Sequence, residues 1–147
     1  MKFCSILICF LTLLVSCNSR TCDDFYSKSL THFFVSNSHK KIIKNVVVIP
    51  NEGCGGCISD ATLFFKENNM VYKNNTIIIF TGVYDIKQLN LSVGKKFLNK
   101  KNVFIDNDNI FMNSNISSLY PQLLKIDQGC VNDVSIFNKI KFKDSVI

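Results

Sequence analysis

The segment Cys54-Gly55-Gly56-Cys57 holds the pair of residues whose type and spacing best fit chemistry. It follows an apolar run at residues 42–49 that predicts a buried strand, and it precedes a helical apolar pattern at 58–68. The free N–H groups and dipole of a helix start stabilise a thiolate, lowering a cysteine pKa from about 8.5 to about 3.5–7.5. Cys57, one turn after Cys54, can attack a mixed disulfide held on Cys54. The spacing therefore predicts a redox site in which Cys54 is the nucleophile and Cys57 the resolving thiol.

The N-terminus predicts where this chemistry takes place. Met1-Lys2 and the apolar residues 3–15 have the charge and length of a signal peptide and are too short to span a bilayer. Leu14-Val15-Ser16-Cys17 resembles a bacterial lipobox, in which the cysteine is acylated and becomes the mature N-terminus. The alternative is an ordinary secretory signal cut near Ser16 or Ser19. We expect a signal peptide at 1–16, a tether at 17–24 and one domain at 25–147, held in the cell envelope by lipid on Cys17 and facing the periplasm or the exterior.

The other cysteines leave two questions open. Cys22 and Cys130 can form a structural disulfide in an oxidising compartment, or both can be free thiols. A four-cysteine zinc site usually brings two close ligand pairs, and this chain has only one, so we expect no metal and no cofactor.

The basic charge does not indicate nucleic-acid binding. The formal net charge is +6, and the lysines occur as scattered pairs rather than as a basic stripe with interleaved aromatics. We therefore expect no nucleic-acid partner.

The apolar patterns predict an α/β domain with a parallel start. Helices are expected at 25–34, 58–68 and 86–98, with Gly94 interrupting the last. Strands are expected at 42–49, 76–80 and 102–105, and residues 110–120 form a loop or a short helix. A strand at 123–126 then turns at Gln128-Gly129 into a returning strand at 130–131. Residues 132–147 are too mixed to assign.

This order resembles the thioredoxin fold, and more closely the bacterial membrane-anchored TlpA-like thiol-disulfide oxidoreductases. The redox pair and a later Tyr120-Pro121 before a strand and hairpin turn carry the resemblance, which covers residues 42–131. It implies a three-layer sandwich with a central mixed sheet between helices. It also implies a cis bond before Pro121, with Tyr120-Pro121 as a substrate-facing loop beside the thiols. A trans bond there would argue against both the loop's role and the family assignment.

The chain departs from the family pattern at the redox pair. Gly53 stands where an aromatic residue usually precedes the first cysteine, and Gly56 where a proline is usual. Val48 occupies the place of the buried carboxylate of classical thioredoxins, which leaves a water molecule or Glu52 for proton transfer.

Three functions remain open on the sequence. The first is an enzyme that reduces or exchanges disulfides in client proteins and is supplied with electrons by an upstream membrane thiol donor. The second is a lipoprotein that binds Cu(I) or a peptide on the same surface without redox turnover. The third is a structural surface lipoprotein in which Cys54 and Cys57 form a static disulfide.

Overall fold

The structure is a computed structural model that describes residues 22–37, 43–68 and 75–146. Its strands are β1 (Asn45–Pro50), β2 (Thr76–Thr81), β3 (Val103–Ile105), β4 (Gln122–Asp127) and β5 (Cys130–Ile136). Its α-helices are α1 (Asp24–Asn37), α2 (Gly55–Glu67), α3 (Ile86–Leu89), α4 (Lys95–Leu98) and α5 (Lys139–Val146), with a π-helical segment at Asn90–Gly94 and a 3-10 helix at Ile110–Met112.

The five strands form one mixed sheet in the order β3-β2-β1-β4-β5. The pairs β1–β2 and β2–β3 are parallel, whereas β4 pairs antiparallel with β1 and with β5. Helices cover both faces, so the predicted α/β class is confirmed, and the architecture is compatible with a thioredoxin-like sandwich.

Alternating side chains on β1 explain why its sequence is apolar without a break. Val47 and Ile49 belong to the core between the sheet and helices α2 to α5, while Val46 and Val48 belong to the core under α1. Successive side chains of a strand point to opposite faces, so a central strand covered on both sides must be apolar at every position. The central strand that precedes the redox pair is thus fixed from both faces.

The C-terminal segment that the sequence left unassigned forms most of β5 and all of α5. Phe142 of α5 is fully buried, and its ring lies 5.4 Å from that of Phe65 and 5.6 Å from that of Phe137. Lys139 forms an exposed ion pair with Asp60 of α2 at 3.8 Å. Helix α5 therefore covers α2, the helix that carries the cysteines.

The described residues contain the disulfides Cys54–Cys57 and Cys22–Cys130, and the latter settles the open pairing of Cys22 and Cys130. Beside it, the Asp23 N–H donates to the Val131 carbonyl at 2.8 Å, and the Val131 N–H donates to Ser27 Oγ at 3.0 Å. The last residues of the expected tether thus lie against β5, and Asp24 begins α1. The expected signal peptide and Cys17 lie outside the described residues.

The strand register separates the two disulfides. Val48 lies opposite Gln122 and Asn45 opposite Lys125, so β4 starts where β1 ends. Cys54 and Cys57 follow the end of β1, whereas Cys130 follows the far end of β4. The two disulfides therefore lie at opposite ends of the sheet.

None of the helices in the described ranges has the length and apolar character needed to cross a membrane.

Candidate functional site

Cys54 and Cys57 form a disulfide at the start of α2, with both residues partly exposed. Cys54 is the N-cap residue of this 13-residue helix, and its carbonyl accepts the Ile58 N–H at 2.9 Å. The central strand delivers the pair to the edge where the carboxyl ends of β1 and β2 meet. This is the position that the sequence predicts for the two cysteines.

The helix start provides a favourable electrostatic environment for a sulfur anion. The Cys57 N–H donates to Cys54 Sγ at 3.4 Å, and the first turn of α2 contains no acidic side chain. The free N–H groups at a helix N-terminus carry a partial positive charge equivalent to roughly half an elementary charge. A helix start of this kind favours the thiolate over the thiol for a reduced cysteine placed at it.

A backbone contact joins Cys54 to the loop that precedes β4. The Cys54 N–H donates to the Leu119 carbonyl oxygen at 2.8 Å. Gly53 has a φ of +138°, and a Cβ there would lie 2.8 Å from the Leu119 Cα and overlap its carbonyl oxygen. Glycine at position 53 is therefore required by the close approach of Leu119.

The Tyr120–Pro121 bond is trans, as are all peptide bonds of the described residues, so the prediction of a cis bond is wrong. The local contacts are satisfied without it: the Tyr120 N–H donates to Ser118 Oγ at 3.0 Å, and the Pro121 carbonyl accepts the Phe137 N–H at 2.8 Å. Pro121 is buried and Tyr120 exposed. The loop reaches Cys54 through the Leu119 carbonyl, and the trans bond argues against both the predicted role of Tyr120-Pro121 and the resemblance to TlpA-like proteins.

The two glycines between the cysteines lie on an open surface. A Cβ added at Gly55 or Gly56 would meet nothing within 4 Å. Leu119, which contacts Cys54, also lines a cleft of about 180 Å³ with a largely apolar rim, formed by Pro50, Glu52, Gly82, Tyr84, Met112, Ser117, Ser118 and Leu119.

Asp106 holds the far wall of this cleft. It is 2 % exposed, and its carboxylate accepts hydrogen bonds from the Thr81 hydroxyl at 2.8 Å and from the Ile110 and Phe111 N–H groups at 3.0 and 2.9 Å. These bonds fix the 3-10 helix to the end of β2, and Met112 of that helix then lies over Gly82. Asp106 is therefore a buried anchor of the 3-10 helix.

The sequence leaves a water molecule or Glu52 for proton transfer. Val48 is buried in the core under α1, and Glu52 is exposed on the rim of the cleft. Of the two histidines of the chain, His32 is exposed on α1, and His39 is not among the described residues. Within the described ranges, no three His, Cys, Asp or Glu side chains cluster to hold a metal ion.

Sequence reasoning missed two residues that shape the site, Leu119 and Asp106. Leu119 acts through its carbonyl, which leaves no trace in side-chain type. Asp106 follows a strand just before a run of turn residues, a pattern that favours a capping carboxylate and could have indicated its role.

Comparisons of the chain with models of protein families, with curated proteins and with solved structures found no match. The chemistry of the site therefore has to be argued from its geometry.

Proposed function

We propose that this protein is a thiol-disulfide oxidoreductase whose redox pair is Cys54 and Cys57. The observation that carries the proposal is the partly exposed Cys54–Cys57 disulfide at the N-terminus of α2, directly after the central strand. The fold and this pair support the function without a cis proline beside the cysteines, which the structure does not have.

The reaction follows from the two sulfurs and the helix start. In the reduced form, the Cys54 thiolate attacks one sulfur of a client disulfide, forming a mixed disulfide and releasing the client's other sulfur as a thiolate. The Cys57 thiolate then attacks Cys54 Sγ and releases the client's second thiol. Two electrons pass to the client, and Cys54–Cys57 becomes the disulfide of this structure. A dithiol donor must reduce it again before the next cycle.

The open surface around the pair suits a protein substrate. Gly55 and Gly56 present no side chain to an approaching chain, and the apolar rim of the cleft starts at Leu119, whose carbonyl contacts Cys54. An extended client segment can therefore bring its cysteine to Cys54 while its flanking apolar side chains contact Tyr84 and Met112.

The proposed location is the cell envelope, with the chain anchored by lipid on Cys17. Two disulfides in one small domain are typical of an oxidising compartment. Because Cys22 is bonded at the end of the sheet opposite to Cys54, the anchor holds the domain from the side away from the redox pair. Clients and the upstream thiol donor then approach the end that is distant from the anchor.

Cysteine variants test the function. Wild-type protein should catalyse insulin reduction by a small dithiol, and Cys54→Ser should abolish that catalysis because the nucleophile is lost. Cys57→Ser should accumulate mixed disulfides with client proteins because no thiol resolves them. The double variant Cys22→Ser with Cys130→Ser is the matched control, since it removes the other disulfide and should retain turnover at a temperature where it is folded.

A static disulfide predicts a different result. Equal, uncatalysed reduction rates for wild type and Cys54→Ser, with no mixed disulfide trapped by Cys57→Ser, would refute the proposal. In that case Cys54–Cys57 closes the loop as a structural link only.

A further inference from the structure

The segment 117–121 places the Leu119 carbonyl against Cys54, yet most of its side chains are exposed. Pro121 at its end is buried, and Ile116 just before it is 3 % exposed. Apolar packing therefore fixes the two ends of the segment better than its middle. The position of the carbonyl depends on what holds these ends.

One hydroxyl group bonds to both ends. Tyr26 of α1 donates from its hydroxyl to the Ile116 carbonyl at 3.0 Å, and the same oxygen accepts from Gln122 Nε2 at 2.6 Å. Ile116 immediately precedes the segment and Gln122 immediately follows it. The two bonds span 90 and 96 residues of sequence, so they are purely tertiary contacts.

Tyr26 is itself fixed in place. Its ring is buried in the core under α1, and its N–H donates to Asp23 Oδ1 at 3.0 Å. The neighbouring Cys22–Cys130 disulfide and the bond between Asp23 and Val131 attach this end of α1 to β5. Burial raises the pKa of the Tyr26 phenol above its ordinary value, which keeps the hydroxyl protonated and able to donate.

We propose that Tyr26 is a positioning residue of the redox site: its hydroxyl holds both ends of segment 117–121, so that the Leu119 carbonyl binds the Cys54 N–H and orients Cys54. This inference rests on the proposed function of Cys54 and Cys57. Cys54 caps α2, so the bond on its N–H helps to set the direction of its sulfur relative to the helix start and to an incoming disulfide. Small displacements of a reacting group reduce rates strongly.

The test compares Tyr26→Phe with Thr31→Val in the full chain. Thr31 lies on the same helix, and its hydroxyl donates a hydrogen bond to the Ser27 carbonyl oxygen. Thr31→Val therefore removes a comparable hydrogen bond that does not involve the loop. Amide hydrogen exchange of Cys54 is measured by NMR in the oxidised protein, with the Val47 amide of β1 reporting global unfolding. In Tyr26→Phe we expect the amide of Cys54 to exchange about fivefold faster than in wild type, beyond any change at Val47. In Thr31→Val we expect no such acceleration.

The second measurement is the rate constant for reduction of a peptide disulfide by the reduced protein. We expect Tyr26→Phe to lower it by about fivefold to 100-fold, with Thr31→Val at the wild-type rate. If Tyr26→Phe does not fold, Gln122→Met is used instead, because it removes the hydrogen bond from Gln122 to the Tyr26 hydroxyl. We expect Gln122→Met to accelerate Cys54 amide exchange and to lower the reduction rate, each by a smaller factor than Tyr26→Phe.

The outcomes separate this inference from the proposed function. Unchanged Cys54 amide exchange in a folded Tyr26→Phe protein overturns the role of Tyr26, even if wild-type protein is active. Accelerated exchange with an unchanged reduction rate also overturns it, because the contact then does not orient the nucleophile. Wild-type protein without disulfide exchange refutes the proposed function, while the amide measurement still reports on the loop contact.

Discussion

The Cys22–Cys130 disulfide should contribute more to stability than the redox disulfide, and the difference follows from loop length. The paired cysteines differ in residue number by 108 and by 3, respectively, and each closed loop includes both of its cysteines. In the chain-entropy treatment, a cross-link stabilises the fold by restricting the unfolded chain, and the effect grows with the logarithm of loop length. The two loops correspond to about 4.8 and about 1.9 kcal/mol at 25 °C.

The perturbations are the double variants Cys22→Ser with Cys130→Ser and Cys54→Ser with Cys57→Ser. In urea unfolding without reductant, the free energy of unfolding should be lower than that of wild type by up to about 4.8 kcal/mol for the Cys22/Cys130 variant and by up to about 1.9 kcal/mol for the Cys54/Cys57 variant. The two variants should therefore differ by about 3 kcal/mol. Both variants should also show larger m values, because a chain with one fewer cross-link exposes more surface when it unfolds. Equal losses in the two variants, or the larger loss at Cys54 and Cys57, would refute the loop-length argument.

The remaining predictions concern the loop, the anchor and the core. Gly53→Ala should lower the free energy of unfolding by at least about 1–3 kcal/mol, because the positive φ of Gly53 and the overlap with Leu119 both disfavour a side chain. Gly55→Ala should be neutral or stabilising by about 0.4–1 kcal/mol, and equal effects of the two variants in thermal unfolding would contradict this. Asp106→Asn should lower the free energy of unfolding measured in urea by about 1–3 kcal/mol, because an amide NH₂ group would face one of the three hydrogen-bond donors. Wild-type stability of this variant would contradict the anchoring role of Asp106. Cys17→Ala should abolish lipid labelling and membrane fractionation, and equal partitioning of the variant would exclude the lipobox. Burial raises the pKa of Tyr26 above 10.0, so its contribution to stability should be complete below that pH and should be lost as the pH rises through the folded-state pKa. The urea midpoint of Tyr26→Phe should therefore decrease less than that of wild type between about pH 9 and about pH 11, and parallel decreases would contradict the assignment.

The parts of the fold that local pattern determines were predictable. The unbroken apolar run in β1 indicates a strand covered on both faces, and the strand is found there with Val46 to Ile49 almost fully buried. The interruption expected at Gly94 also occurs, since this residue has a φ of +97° between the π-helical segment and α4. Periodicity and glycine position reflect backbone geometry directly, which is why these predictions succeed.

The parts that depend on distant contacts were not predictable from the sequence. Helix α5 has mixed polarity, and among its described side chains Phe142 is the fully buried one, so its periodicity is too weak to detect. The pairing of Cys22 with Cys130 depends on α1 reaching β5. The proline bond was assigned by family resemblance rather than by local physics, and the ordinary trans state is found.

The two disulfides suit different tasks because the sheet holds them at opposite ends. A redox pair must be reduced in every cycle without loss of the fold, and Cys54–Cys57 closes such a short loop that its reduction costs the domain little chain entropy. Strand β1 and the Leu119 contact hold the chain at Cys54 through bonds that do not involve sulfur. Cys22–Cys130 closes a long loop and attaches α1, and with it Tyr26, to β5. No step of the proposed exchange involves Cys22–Cys130, so this disulfide can stay oxidised and stabilise the fold while Cys54–Cys57 turns over.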